Sequence, residues 1–287
     1  MAEEALRNNL LECSYVEVQE WLKRTDLVLV PFGSCERHGP HIPIGTDSFH
    51  TWEVTTRASK KSGVPHAPMI PYGYSPHHMH KPGFGAGTIT LRARTVQAIV
   101  YDVAKSLIYH GFNKIIFVAA HGSYSQVIEP AIRNLKYSTN ALVVWYKPFY
   151  EREIGALKGI LENPPEETPG WHSSEMETSE IMAVRPDLVK MERAVKELAH
   201  APKWLGPKFT KTDGVRTVAF EGVENAILPM EHYEYTDSAV IGNPFRASPE
   251  KGEKIFEAQA THLAHFVNEL KNLEVKVKDR DFPDRAW

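Results

Sequence analysis

Pro31-Phe32-Gly33-Ser34-Cys35-Glu36-Arg37-His38-Gly39-Pro40-His41-Ile42-Pro43-Ile44-Gly45-Thr46-Asp47 is the stretch on which the reading of this chain turns. It comes after an apolar run, residues 27–30, that reads as a buried strand. Gly33, Gly39, Pro40 and Pro43 shape the stretch itself into a loop. A loop leaving the end of a strand is where an α/β protein commonly places its chemistry. Glu36 and His38 are two residues apart, so in an extended segment their side chains leave the same face. With Asp47 they offer two carboxylates and an imidazole, a donor set that suits zinc, manganese or iron(II). The same residues also fit a salt-bridged polar loop, with Glu36 paired to Arg37 or Arg57.

Working outward, a second strand ends in the same way. Residues 114–120 form a continuous apolar run of the buried parallel kind and deliver His121, Gly122 and Ser123 to its C-terminal end. Two such loops converge at one edge of a parallel sheet. Between them lie helical patterns over residues 48–62, with Gly63 as the stop, and 92–110, where Val96, Ile99, Val100, Val103 and Leu107 recur at helical spacing. A strand is expected over 64–70, though prolines interrupt it. A helix to about residue 136 and a strand over 141–146 continue the alternation. The fold class is therefore α/β, a three-layer α/β/α arrangement around a mostly parallel sheet. Ser14 is a candidate N-cap for a first helix over 14–23, and Ser248 with Pro249 opens a long last helix.

Histidine is unusually clustered. Of 14 in the chain, His38, His41, His50, His66, His77, His78 and His80 fall close together. Residues 72–88 are too rich in glycine and proline for a regular element and read as a functional loop carrying three of them. A third polar constellation, Trp171-His172-Ser173-Ser174-Glu175-Met176-Glu177-Thr178-Ser179, opens a helix through Ala183 with Ser174 as N-cap. Glu175 in that first turn suits the helix dipole even without a chemical role.

The formal charge of −3 and the lack of a basic block give no sign of nucleic-acid binding. The first residues show no apolar signal-peptide core, and no apolar run approaches a membrane span. Two cysteines, Cys13 and Cys35, point to a reducing compartment, and the expectation is a cytoplasmic protein. The chain is expected to be one domain over 1–287, with an insertion or lid near 148–170 and an irregular segment over 191–237. In that segment Trp204, Phe209, Phe220 and Tyr233 are candidates to cover a pocket or serve an oligomer contact.

The constellations together resemble the creatininase family. Its first motif, PvGSxEqHGpHLPlgTD, stands here as PFGSCERHGPHIPIGTD; its HAGExETS stands as HSSEMETS over 172–179; its closing GdPxxAsxekG stands as GNPFRASPEKG over 242–252. The resemblance is collinear from about Ser14 to Val267. It implies a creatininase-like fold and two divalent metal ions (zinc, manganese or iron) per chain. Glu36, Asp47 and His121 would bind one; His38, Asp47 and Glu175 would bind the other, with Asp47 bridging. Glu175 receives that role because Ser123 stands where creatinine amidohydrolase has a carboxylate. The resemblance also implies His172 as a proton shuttle, His78 as the histidine of the GxSxxH loop, and Glu177 as a supporting catalytic group. Ser75, Trp171 and Tyr124 are assigned to the substrate side.

The family's NGHGGN is Ala119-Ala120-His121-Gly122-Ser123-Tyr124 here, and its FPGT is interrupted by Phe84-Gly85-Ala86. Both changes alter the pocket wall, so the substrate is expected to differ from creatinine. The resemblance implies a binuclear hydrolase of a small cyclic substrate, with metal-activated water attacking a carbonyl. C–N cleavage of a cyclic amide or amidine is the default. C–C cleavage of an inositol-derived cyclic ketone is the alternative, and a metabolite-binding module that keeps the fold is the non-enzyme reading. A homo-oligomer, a hexamer by resemblance, is expected, with a small molecule as partner and neither nucleic acid nor membrane.

Overall fold

The computed structural model describes residues 6–82, 87–149, 155–162, 164, 167 and 171–286. Helix α1 spans Tyr15–Arg24, and its capping box is complete: Ser14 accepts from Glu17 N and the Glu17 carboxylate accepts from Ser14 N. Strand β1 (Leu27–Pro31) leads to α2 (Thr46–Ser62), which Gly63 terminates. Then come α3 (Ala93–His110), β2 (Lys114–Val118), α4 (Ser125–Thr139), β3 (Leu142–Tyr146) and α5 (Glu175–Val184). Three short strands, β4 (Phe209–Thr210), β5 (Thr217–Phe220) and β6 (Val223–Ile227), precede α6 (Pro249–Lys271).

The central sheet has the order β1-β2-β3, all parallel, with Leu27 opposite Lys114 and Lys114 opposite Leu142. Apart from Lys114 at the start of β2, its strands are apolar runs because both faces of the sheet are covered. On one face Val28, Val30, Ile115 and Phe117 pack with Val96, Val100 and Ile108 of α3 and Leu135 of α4. On the other Leu27, Leu29, Ile116 and Val118 pack with Val54 and Ala58 of α2 and Phe256, Leu263 and Val267 of α6. This is the expected three-layer α/β/α arrangement. Truncating a side chain as deeply buried as Leu263 to alanine costs about 2–5 kcal/mol.

Three expectations need correction or limits. Residues 64–70 form no full strand; isolated bridges join His66 to Asn9 and Leu29 and Ile70 to Phe32, because Pro65 and Pro68 have no N–H to donate. In the segment over 191–237, β4, β5 and β6 form an antiparallel sheet. Of its aromatics, Phe209 and Phe220 face each other at 5.1 Å, and Trp204 is exposed with its Nε1–H on Glu234. Of residues 148–170, part lies outside the described residues, as do Phe84, Gly85 and Ala86. Within the described part, Phe149, Leu157 and Leu161 pack on Trp171, Met176 and Ile255.

Helices α2, α5 and α6 meet beside the sheet edge, and two features fix their spacing. A Cβ on Gly252 would lie 2.0 Å from Ser179 O, so α6 touches α5 backbone to backbone. His50 of α2, fully buried, reaches Glu180 of α5 (Nδ1 to Oε2, 3.0 Å) and Gln259 of α6 (Nε2 to Oε1, 2.8 Å). Asp47 and Glu177 each lie one turn before a member of this trio.

Candidate active site

Because Pro31 is opposite Val118, the chain leaves β1 and β2 side by side, and the two loops after them share one edge of the sheet. Gly33 lets the first loop run against the start of α2: a Cβ there would sit 2.3 Å from Ser48 Oγ. The loop turns back so that Glu36 N donates to Ile44 O and Asp47 enters the first turn of α2. Helix α5 arrives from the other side. His41, at the loop's turn, reaches Thr178 Oγ1 at 2.9 Å and ties loop to helix.

These elements bring five side chains together in two sets. Glu36, Asp47 and His121 form one; His38, Asp47 and Glu177 form the other, and within each set the ligand atoms lie within 4.8 Å of one another. Asp47 belongs to both. His121 Nδ1 is 3.0 Å from Glu36 Oε2 and 3.6 Å from Asp47 Oδ2. His38 Nε2 is 3.5 Å from Glu177 Oε2 and 3.9 Å from Asp47 Oδ1. All five are buried. Glu36 is not the partner of Arg37 or Arg57: Arg37 donates to Asp237 O, and Arg57 pairs with Glu53 and Glu253.

The second ring nitrogen of each histidine is committed. His38 Nδ1 is 3.1 Å from Glu36 O, and His121 Nε2 is 2.9 Å from Tyr74 O. A carbonyl only accepts, so each ring donates there and the neutral ring turns its lone pair toward the carboxylates. That is how metal-ligating imidazoles are usually oriented. Glu36 Oε2, His38 Nε2 and Asp47 Oδ2 are buried and make no hydrogen bond, which is rare for polar atoms. Hard carboxylate oxygens mixed with imidazole nitrogens suit a divalent ion such as zinc or manganese. The residues therefore fit a divalent metal ion.

The electrostatics agree. Burial pulls the His38 imidazole down, but the carboxylates of Glu177 and Asp47 outweigh it and hold it at about 10. Burial likewise opposes His121, and Glu36 lifts it to about 9. Burial raises the Asp47 carboxyl to about 7, and the charge of Glu36 pushes the same way. Burial disfavours a charged Glu36, yet His121 and His78 hold it well below the carboxylate range. So many carboxylates in one buried spot demand positive charge, which protons on His38 and His121 supply when nothing else does.

Glu175 is not among these side chains. Its carboxylate accepts from Lys251 Nζ at 2.8 Å and from Glu162 N at 2.9 Å. At about 100° per residue, positions two apart on a helix point to nearly opposite sides. Only Glu177 can face His38, and its Oε2 also accepts from Ser173 N at 2.5 Å. The structure thus puts Glu177 in the place expected for Glu175.

A cavity of about 380 Å³ opens onto the cluster. Its lining includes Glu36, Asp47, His77, His78, His121, Trp171, His172 and Glu177, with Gln126, Lys147, Arg216, Glu231 and His232. His172 stacks on His38 at 4.4 Å, and its Nε2–H donates to Arg37 O at 2.9 Å. Burial, then the charge of His38, lowers its pKa below the usual histidine value. Ser75 is buried under His121, its Oγ 3.3 Å from Nε2 and 2.8 Å from Ser34 Oγ, so it supports that ring and does not line the cavity. Tyr124 is a correction as well: it is fully buried among Phe32 and Trp145 and donates to Gly33 O, behind the site. A tyrosine in the first turn after β2 faces the sheet layer, where its ring fills the core.

Sequence reasoning misses His232. It comes from a 3-10 turn (His232–Glu234) in the irregular segment, and its ring lies 4.1 Å from His78 and 4.7 Å from His172. A lone histidine without periodicity or a motif leaves no local mark; only the high histidine count hints at it.

A profile of the creatininase family, described as creatinine amidohydrolase, matches residues 11–267. The chain belongs to the creatininase family. This creatininase-family chain is 30% identical over 264 residues to a 3-dehydro-scyllo-inosose hydrolase of Thermotoga maritima, a match covering 88% of this chain and 80% of the other. It is 26% identical over 273 residues to creatinine amidohydrolase of Pseudomonas putida, covering 90% and 95%. A solved manganese creatininase superimposes with a TM-score of 0.71 at 24% identity, over 93% of this chain and 99% of that one, a likeness of fold. The family's members here are hydrolases, and this creatininase-family chain is a hydrolase. Among the described residues no helix is long and apolar enough to cross a membrane.

Proposed function

We propose that the chain is a binuclear metal-dependent hydrolase that cleaves a small, polar, carbonyl-bearing ring. The observation that carries this is the pair of ligand sets sharing Asp47, each with an imidazole whose lone pair is turned inward by a main-chain carbonyl. Glu36, Asp47 and His121 would hold one ion, and His38, Asp47 and Glu177 the other. Solved creatininases that carry manganese or a zinc pair support divalent metals in such a site. Bound there, divalent ions supply Lewis acidity and make water acidic enough to act as a nucleophile near neutral pH.

The chain's own residues do the rest. His172 is neutral at pH 7, and its Nε2–H is fixed on Arg37 O, so Nδ1 is the atom that takes a proton. Once water has added to the carbonyl carbon, His172 returns that proton to the atom that leaves, carbon or nitrogen. One water is consumed, and the ring opens to a carboxylate. Trp171, Phe149 and Met230 wall the cavity and limit access of bulk water.

The lining favours a hydroxylated ring ketone cleaved at a C–C bond. His77, Ser123, Gln126, Lys147, Arg216 and Glu231 offer hydrogen-bonding groups around the cavity, which suits a polyol. The inosose hydrolase relative supports the same choice. C–N cleavage of a cyclic amide is the second reading, supported by the creatinine amidohydrolase relative. Incubating the manganese- or zinc-loaded enzyme with a panel of inosose-type ketones and a panel of cyclic amides tests both. Mass spectrometry should show the gain of one water on a ketone. Turnover of amides alone reverses the order, and turnover of neither removes the proposed substrate class.

A further inference from the structure

We propose that His78, His172 and His232 form a third divalent-metal site, whose occupation takes His172 out of proton transfer and inhibits the enzyme. The second half rests on the role given to His172 above.

The three rings come from three separate elements: the 3-10 turn Pro76–His78, the residue preceding the approach to α5, and the turn His232–Glu234. Their ligand nitrogens lie within 4.8 Å of one another. The ring centroids are 4.1 Å apart for His78 and His232, 4.7 Å for His172 and His232, and 5.0 Å for His78 and His172. His78 and His232 are almost fully buried. Nδ1 of each is buried without a hydrogen bond. Nitrogen atoms are rarely left that way unless something else binds them. His172 donates from Nε2 to Arg37 O, which leaves Nδ1 as its lone-pair atom.

The donor set is all imidazole, unlike the carboxylate-rich pair beside it. Three histidines with one side open to a cavity are a zinc arrangement that leaves room for a water. The set uses none of Glu36, His38, Asp47, His121 or Glu177, so all sites can fill together. Glu36 Oε1 lies 3.7 Å from His78 Nε2 and adds negative charge that favours a cation. His77, whose ring is 4.2 Å from that of His78, is the nearest imidazole outside the set.

The test is equilibrium dialysis of the whole protein against buffered zinc, with metal counted by plasma mass spectrometry. Wild type should reach about three zinc ions per chain, and His232→Asn about two. Circular dichroism confirms that the variant is folded; if it is not, His78→Asn serves in its place. Wild type and variant both at about two overturn the third site and leave the binuclear reading standing. Wild type at about one and variant at none uphold the triad and sink the binuclear reading. With cobalt(II) as probe, wild type should gain a visible absorption band that the variant lacks. In turnover assays excess zinc should lower wild-type kcat by about a hundredfold, the low end of what acid–base catalysis contributes, and should not lower that of the variant. Equal inhibition of both overturns the inhibitory role.

Discussion

Glu177 Oε2 lies 3.5 Å from His38 Nε2, while the carboxylate of Glu175, two residues earlier on the same helix, is 2.8 Å from Lys251 Nζ. One helix turn thus carries one carboxylate toward the candidate metal ligands and one into a structural ion pair. Substitution should separate the two. Glu177→Gln is expected to lose about one metal ion per chain and most activity, because a ligand to a shared site is gone. Glu175→Ala is expected to keep its metal and turnover and to lose about 1.5–3 kcal/mol of stability, the range for hydrogen bonds to a charged group. Metal analysis and urea denaturation of both variants decide this; metal loss in Glu175→Ala instead would reverse the assignment.

Replacing His172 should leave the two carboxylate-bearing metal sets intact and slow the chemistry. His172→Asn is expected to lower kcat by about 10²–10⁴ with unchanged metal content at limiting metal. The wild-type rate should fall on the acid side below the ordinary histidine value, since burial lowers this ring and protonation removes the acceptor. That acid limb should vanish in the variant. A pH profile retained in His172→Asn would place the titrating group elsewhere.

Metal uptake should release protons. In the metal-free protein His38 titrates at about 10 and His121 at about 9, so both are charged at pH 7.5. Ligation needs them neutral, and about two protons per chain should leave. Calorimetry in two buffers of different ionisation enthalpy measures this; no release would mean the rings are neutral beforehand. The same shifts fix a stability trend. Raised folded pKa values on His38, His121 and Asp47 stabilise the fold at low pH, and that contribution is lost as pH rises through about 7 for Asp47 and about 9 to 10 for the histidines. The lowered carboxyls of Glu36 and Glu177 titrate below that window and add no slope there. Melting temperatures of the metal-free protein should therefore fall from pH 7 to 10.

The contact between α5 and α6 should be sensitive to a single methyl group. Gly252→Ala would put Cβ 2.0 Å from Ser179 O and 2.8 Å from Ala183 Cβ, so the helices must part. A loss of about 1–3 kcal/mol is expected, as for other overpacked sites. Weaker zinc affinity should accompany it, since α5 carries Glu177. Unchanged stability would show that the helices can shift freely.

The buried pair of His50 and Glu180 should behave as a unit. Both are almost fully buried, and Gln259 completes the link to α6. Glu180→Ala leaves an uncompensated polar ring and should cost about 3–5 kcal/mol. His50→Leu combined with Glu180→Met should recover much of that loss, as seen when both members of a buried pair become apolar. Equilibrium denaturation of the single and double variants tests it.

What the sequence alone determined was everything with a short-range signature. Apolar runs ending at Val30 and Ala120 announced buried parallel strands, because a strand covered on both faces is apolar along its length. Ser14 with Glu17, Gly63, and Ser248 with Pro249 marked helix ends, because caps are local hydrogen bonds and backbone preferences. The loop from Gly33 to Asp47, with its dense polar residues, marked the candidate metal site. What only the tertiary structure decided was direction and convergence. Whether Glu175 or Glu177 faces His38 depends on how α5 is rotated against Gly252, and a two-residue offset in sequence does not say which. Tyr124 stands close to His121 in the chain, yet its ring packs away from the cavity. His232 lies far along the sequence in a segment without period or motif, and only the folding of residues 228–241 over the sheet edge sets its ring against His78 and His172.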